Sequence, residues 1–197
     1  MMKRLLIYLM LLVAVCAGWL IWSNEEHLPE LKTTQPFEMK SVLHNEHYSS
    51  NTGKIKIVAF FYTACPDICP FTMSDLSDIQ TAVKDHSRLK KSVELVSITL
   101  DPEEDTDERI IQYAEAFQAD YEMWHWLRGT IEETNAVTKD YQMQSVKLDD
   151  QTIAHSTTLY LVDEHHRIRG MYPMATQRDR VNKEKLLEDV LRLLDAS

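Results

Sequence analysis

Two cysteines stand four residues apart in the stretch Tyr62-Thr63-Ala64-Cys65-Pro66-Asp67-Ile68-Cys69-Pro70. The apolar run Ile55 to Phe61 precedes them and reads as a buried strand, and an amphipathic stretch follows that reads as a helix. The pair therefore sits at a strand-to-helix turn. Pro66 suits the first helical position, where the N–H it lacks would have no partner in any case. A helix opening there puts Cys65 at its N-terminal edge and Cys69 one turn in. Residues four apart share a helix face, with β-carbons roughly 6 Å apart. Two sulfurs so placed can share one metal ion. With adjustment they can also close a disulfide, whose β-carbons come to about 3.8 Å. The positive end of the helix favours thiolate over thiol. The residues point to thiolate chemistry and leave metal ligation and redox exchange both open.

The rest of the composition narrows the choice. The 197-residue chain carries a formal net charge of −10, which argues against nucleic acid as a partner because phosphate binding needs a basic surface. No glycine-rich phosphate loop is present. Of three cysteines, Cys16 lies in the N-terminal apolar segment, so the folded part holds only Cys65 and Cys69. One pair is too few for a disulfide scaffold. A bridge across so short a loop would also remove little unfolded-state entropy, which makes static stabilisation a poor reason for it.

The elements that must position the pair follow in order. Phe37 to Tyr48 reads as a strand or hairpin region, with His44 and His47 as solvated surface residues. The turn signal Ser49-Ser50-Asn51-Thr52-Gly53 leads into the central strand. From Pro66 to about His86 the apolar residues Ile68, Met73, Leu76, Ile79 and Val83 recur at helical spacing, and Met73 reads as core. Val93 to Leu100 is a second buried strand. Asp101-Pro102-Glu103-Glu104-Asp105-Thr106 ends it and caps a helix over 107–117. Met123 to Leu127 is a short strand with Trp124 and Trp126 on one face and His125 on the other. Thr130, with Glu133 at capping-box spacing, opens a helix to about Tyr141. Thr157 to Val162 and Arg167 to Tyr172 are strands around a polar turn, and Arg178 to Leu194 is a final helix. Early alternation of strand and helix implies parallel pairing, and two adjacent late strands imply an antiparallel hairpin. This is an α/β, thioredoxin-like layout: a central mixed sheet flanked by helices, with an insertion in the middle of the chain over Asp101 to Tyr141.

The N-terminus adds a location. Met1 to Arg4 is short and basic, and Leu5 to Trp22 is free of charge and ends in Trp19 and Trp22, residues suited to a membrane interface. About this length of apolar helix is just enough to span a bilayer. Residues 1–22 therefore read as a signal anchor, 23–36 as a polar tether, and 37–197 as an extracytoplasmic domain. No A-x-A cleavage site is evident, which favours a retained anchor; Val13-Ala14-Val15-Cys16 only weakly resembles a lipoprotein signal, because valine just before the cysteine departs from that pattern. Outside the cytoplasm thiols are exposed to oxidation, so either use of the pair needs a supply of electrons.

Several motifs together resemble one family. Phe61-Tyr62-Thr63-Ala64-Cys65-Pro66-Asp67-Ile68-Cys69-Pro70 resembles the cysteine signature of the Sco/SenC proteins. Thr99-Leu100-Asp101-Pro102-Glu103-Glu104-Asp105-Thr106 resembles their second signature, and Leu127-Arg128-Gly129-Thr130 is a third match. Ile153-Ala154-His155-Ser156, leading into Leu159-Tyr160-Leu161-Val162-Asp163, resembles the stretch where that family places a histidine ligand. The likeness covers nearly all of residues 37–195 and is weakest before the cysteines. It implies a membrane-anchored thioredoxin-like copper-binding protein that serves assembly of the copper A centre of cytochrome c oxidase subunit II. By carry-over, copper would be held by Cys65, Cys69 and His155, while Asp67 and Asp101 match acidic motif positions without being direct ligands. Other copper chaperones or thiol reductants are implied as further partners. The N-terminus lacks an Arg- and Ser-rich transit peptide, which points to a bacterial member. Two sulfurs and an imidazole suit Cu(I) and can also hold Cu(II). Structural zinc wants four protein ligands, and no second cysteine pair supplies them. The alternative function is a thiol–disulfide oxidoreductase that keeps the oxidase's copper-site cysteines reduced, with Cys65 and Cys69 as its redox-active pair. A peroxidase fits less well, since the peroxiredoxin pattern places threonine three residues before its cysteine and Tyr62 stands there.

Overall fold

The computed structural model describes residues 8, 10–16, 18, 27–44, 46–148 and 152–196. The expected anchor over residues 1–22 and the first part of the expected tether fall largely outside them. Residues 10–16 are helical and exposed, and among the described residues no helix is long and apolar enough to cross a membrane.

Strand β1 (Lys32–Thr33) is followed by the hairpin strands β2 (Glu38–Ser41) and β3 (Glu46–Ser49), then by β4 (Ile55–Phe61) and helix α1 (Ile68–Asp85). A short helix α2 (Leu89–Ser92) leads into β5 (Val93–Thr99), α3 (Asp107–Ala116), β6 (Trp124–Arg128) and α4 (Ile131–Asp140). The chain closes with β7 (Ser145–Lys147), β8 (Ile153–His155), β9 (Thr158–Val162), β10 (Arg167–Pro173) and α5 (Lys183–Asp195). Among the described residues, eight strands form one mixed sheet in the order β1-β10-β9-β4-β5-β6-β2-β3. β4, β5 and β6 run parallel, and β9 joins β4 antiparallel. Among the described residues β7 and β8 pair only with each other.

The hydrophobic pattern explains this order. Every residue of β4 and β5 is buried, as central parallel strands covered on both faces require. One face of the sheet packs Ile57, Ala59 and Phe61 against Met73, Leu76 and Ile79 of α1 and Leu186 and Val190 of α5. The other packs Val58, Phe60, Val96 and Ile98 against Val137 of α4 and Tyr141. Trp124 and Trp126 point to the first face and Leu127 to the second, as the period of two in β6 demands. Met73 is wholly buried, and its sulfur accepts a contact from Ser97 Oγ at 3.8 Å, which places it in the core as expected. The Thr130–Glu133 capping box forms.

Three expectations change. The first helix opens at Ile68, not Pro66, because the chain first makes a turn in which Cys65 N–H donates to Tyr62 O at 3.2 Å. The last helix opens at Lys183, not Arg178. The buried carboxylate of Asp75 on α1 accepts from Arg180 Nε at 2.9 Å, Arg180 Nη2 at 2.8 Å and Val181 N–H at 3.0 Å, and so draws the preceding residues out of helical geometry. Asn182 then caps α5 by accepting from Lys185 N–H at 3.0 Å. The β7–β8 ribbon and α2 were not anticipated. Within the stretch expected as tether, residues 28–34 lie against β10: Leu31 N–H and Thr34 N–H each donate at 2.8 Å, to Ile168 O and His166 O, and Arg169 Nε donates to Pro29 O at 3.0 Å. The weakly matched Phe37–Tyr48 region is the β2–β3 hairpin, joined to β6 through Lys40 and Ser41.

Candidate metal centre

The loop from β4 to α1 carries the cysteines, and Asp105 fixes its shape. Thr63 N–H donates to both carboxylate oxygens of Asp105, at 3.1 and 3.2 Å, and the hydroxyls of Thr63 and Thr99 donate to the same group. Asp105 is buried; burial raises its pKa above the usual carboxylate range, and the hydrogen bonds from Thr63 and Thr99 only partly offset that. The second signature therefore acts as a clasp. Thr106 accepts from Arg109 N–H to cap α3, Asp105 N–H donates to Asp101 O at 2.8 Å, and the Asp105 side chain reaches across to the cysteine loop.

Cys65 and Cys69 are both free thiols, 9% and 0% exposed. Cys69 N–H donates to Cys65 Sγ at 3.4 Å. The two sulfurs are themselves hydrogen bonded, and this contact holds the Cys65 pKa far below the usual thiol value. Burial opposes the drop, while the His155 imidazole and the N–H groups of Asp67 and Cys69 reinforce it. Cys69 moves the other way: it gives its hydrogen bond to Cys65, is buried, and faces the Cys65 charge. The two thiols are thus pushed in opposite directions, Cys65 toward the thiolate and Cys69 away from it. The sequence predicts that a helix terminus lowers the thiol pKa; the larger cause is the second thiol, with the backbone N–H groups at the helix start adding to it.

His155 closes β8, paired across the ribbon with Ser145. Its ring lies 6.1 Å from the Tyr62 ring, nearly perpendicular to it, and its Nδ1 is 2.9 Å from Ser156 O. The His155 imidazole acts on the Cys65 thiol, as Cys69 does, but among the described residues no group of three His, Cys, Asp or Glu side chains is arranged to hold a metal ion. His165 and His166 lie at the β9–β10 turn, beyond the opposite end of β9 from His155. His125 and His44 belong to another neighbourhood, around Tyr48 and the buried Glu94. Asp101 binds Lys147 of β7, at 3.2 and 3.3 Å. Asp67 Oδ1 is buried without a partner.

Sequence reasoning missed Tyr62, Asp105 and Lys147. Tyr62 is buried, its ring stands edge-on to the His155 ring, and its carbonyl accepts from Cys65 N–H. Burial, then the Cys65 charge, pushes its pKa up to about 12. The signal for Asp105 was present, because the second signature ends a strand parallel to β4. Nothing local marked Tyr62 or Lys147, whose partners lie far along the chain.

Comparison with known proteins agrees with this architecture. The family model described as SCO1/SenC matches residues 26–192. A SCO1/SenC family lipoprotein from Bacillus anthracis superposes with a TM-score of 0.73 at 23% identity, covering 83% of this chain and 95% of that one. BsSco, described as a member of the Sco family of cytochrome c oxidase assembly proteins, gives 0.70 at 21% identity over 85% and 97%. Bradyrhizobium japonicum ScoI with copper bound gives 0.66 at 24% identity over 82% and 99%. The fold is thioredoxin-like, and on the extent of the family match the chain belongs to the SCO1/SenC family.

Proposed function

We propose that this protein binds copper as a metallochaperone or assembly factor for the copper A centre of cytochrome c oxidase subunit II, holding the metal through Cys65, Cys69 and His155. One observation carries the reading: two buried sulfurs in mutual contact, with an imidazole against the first of them. Two soft sulfurs and a nitrogen are a donor set for Cu(I) and Cu(II). Metal uptake would take both sulfurs as thiolates and release whatever protons they carry. Asp67 Oδ1, on the same loop, is buried without a hydrogen-bond partner and so is open to a further donor. A three-ligand site also leaves the metal accessible for transfer. The ScoI relative with copper bound and the assembly role described for BsSco support this reading.

The test is copper uptake by the full chain with reduced cysteines. One copper per chain is expected, and Cys65→Ala or Cys69→Ala should abolish it; retention of stoichiometric copper by either variant would exclude the site.

A second reading has its own support. A thiolate on Cys65 hydrogen bonded by a buried Cys69 thiol is the arrangement of an attacking and a resolving cysteine. On that reading the protein is a thiol–disulfide oxidoreductase that reduces the oxidase's cysteines, and His155 is dispensable. Full activity of His155→Ala in cells, with either cysteine variant inactive, would favour it. Both readings place the domain on the extracytoplasmic side of the membrane, held by the apolar N-terminal segment.

A further inference from the structure

We infer that Lys147 is a positioning residue for this site: its ion pair with Asp101 fastens the ribbon that carries His155 to the loop that also holds the cysteines. The β7–β8 ribbon needs such a fastening, because a two-stranded ribbon alone is marginally stable in water. Lys147 lies opposite Ile153 and Ser145 opposite His155, so these four side chains share one face of the ribbon. Val146 and Ala154 take the other face and are exposed. On the inner face Ile153 is buried in the first core cluster, and Lys147 Nζ reaches both carboxylate oxygens of Asp101, at 3.2 and 3.3 Å. The rung next to His155 on that face is therefore anchored by an apolar contact and by a charge pair.

Asp101 is held ready to receive the lysine. Its side chain is 10% exposed, so the pair is screened less than one at the surface. Its backbone is fixed: Asp101 N–H donates to Thr99 Oγ1 at 3.0 Å, and its carbonyl accepts from Asp105 N–H at 2.8 Å. Asp105 of the same loop grips Thr63 ahead of the cysteines, and Leu100 N–H donates to Phe61 O at 2.7 Å. One loop, 100–105, thus holds the cysteine segment through Asp105 and the histidine segment through Asp101, and sets the separation between them. A donor fixed beforehand spares the cost of ordering it when a cation binds. The inference rests on the copper reading for that consequence; the fastening itself needs no metal.

Lys147→Met keeps most of the side-chain length and removes the charge. The amides of Leu148 and Ser156 donate across the ribbon, to Thr152 O at 2.7 Å and to Gln144 O at 2.9 Å. In the full-length, copper-free protein their hydrogen exchange should quicken about fivefold in Lys147→Met, while exchange through β4 stays as in wild type. Lys147→Arg should restore the wild-type rates, since a guanidinium can pair with the same carboxylate. Copper affinity supplies the readout that simple loosening would not give. Lys147→Met should bind copper about fivefold more weakly than wild type, and in a His155→Ala background the same substitution should cost nothing further. Unchanged exchange in Lys147→Met, or an equal loss of copper affinity with and without His155, would overturn the inference. If His155→Ala binds copper as tightly as wild type, the copper reading of His155 fails alone, and the exchange rates still decide whether Lys147 holds the ribbon.

Discussion

At the scale of single residues, the site is a set of hydrogen bonds converging on two sulfurs. Cys69 N–H donates to Cys65 Sγ, and the Cys69 thiol, the His155 imidazole and the Asp67 and Cys69 N–H groups push the Cys65 pKa down against the burial that raises it. Asp105 does the equivalent for the backbone of the loop. Asp105→Ala strands Thr63 N–H and the hydroxyls of Thr63 and Thr99, and should cost about 3 kcal/mol. A denaturant melt measures that loss, and copper uptake should weaken in the same variant because the cysteine loop is no longer held. Unaltered stability would mean that the clasp is not what shapes the loop. The cysteines were legible in the sequence because their spacing is local. Asp105 was marked only by its place in the second signature, after a strand that pairs with β4, and Tyr62 was not marked, because the His155 ring it meets lies far along the chain.

At the scale of elements, helix ends are where the sequence misleads. Pro66 and Arg178 both look like helix starts, and in both cases a side chain or turn elsewhere in the fold delays the helix. For α5 the cause is Asp75. Burial acts to raise its pKa, but Arg180, the Val181 N–H and Lys183 outweigh it and hold the carboxyl below the usual range. The sign of the linkage follows. The stabilisation is fully present above the unfolded carboxylate value of about 3.9 and is lost as pH falls through the lower folded value. Urea melts from pH 2 to pH 7 should show wild type losing stability at the acid end, with a shallower loss in Asp75→Ala, which starts less stable at neutral pH. Parallel curves would assign the acid sensitivity to other carboxylates. The helices with intact local signals, such as the one opened by the Thr130–Glu133 box, begin where the sequence places them.

At the scale of the whole molecule, a rigid sheet carries the cysteines and a lighter appendage carries the histidine. β4 and β5 are buried along their whole lengths, and the cysteine loop leaves from the end of β4. β7 is exposed at every position, and among the described residues β7 and β8 pair only with each other. Hydrogen exchange should therefore be fast at Val146 and Ala154 and slow through Ile57–Phe60, since opening the ribbon disrupts little buried surface. Copper loading should slow exchange in the ribbon selectively, because a metal shared by His155 and the cysteines ties it to the core. Equal protection with and without copper would argue that His155 is not a ligand. The layered α/β order was legible from the alternation of apolar runs and helical spacing. The ribbon was not, because its short, exposed strands have no core face and so no apolar pattern.

The most direct test of the three-donor site is the copper stoichiometry and absorption spectrum of wild type beside His155→Ala, both with reduced cysteines. Wild type should bind one copper and show a strong sulfur-to-copper band with Cu(II). His155→Ala should keep sulfur contact but bind more weakly by about tenfold or more, with a shifted band. Identical affinity and an identical spectrum in the two proteins would contradict a site built from Cys65, Cys69 and His155.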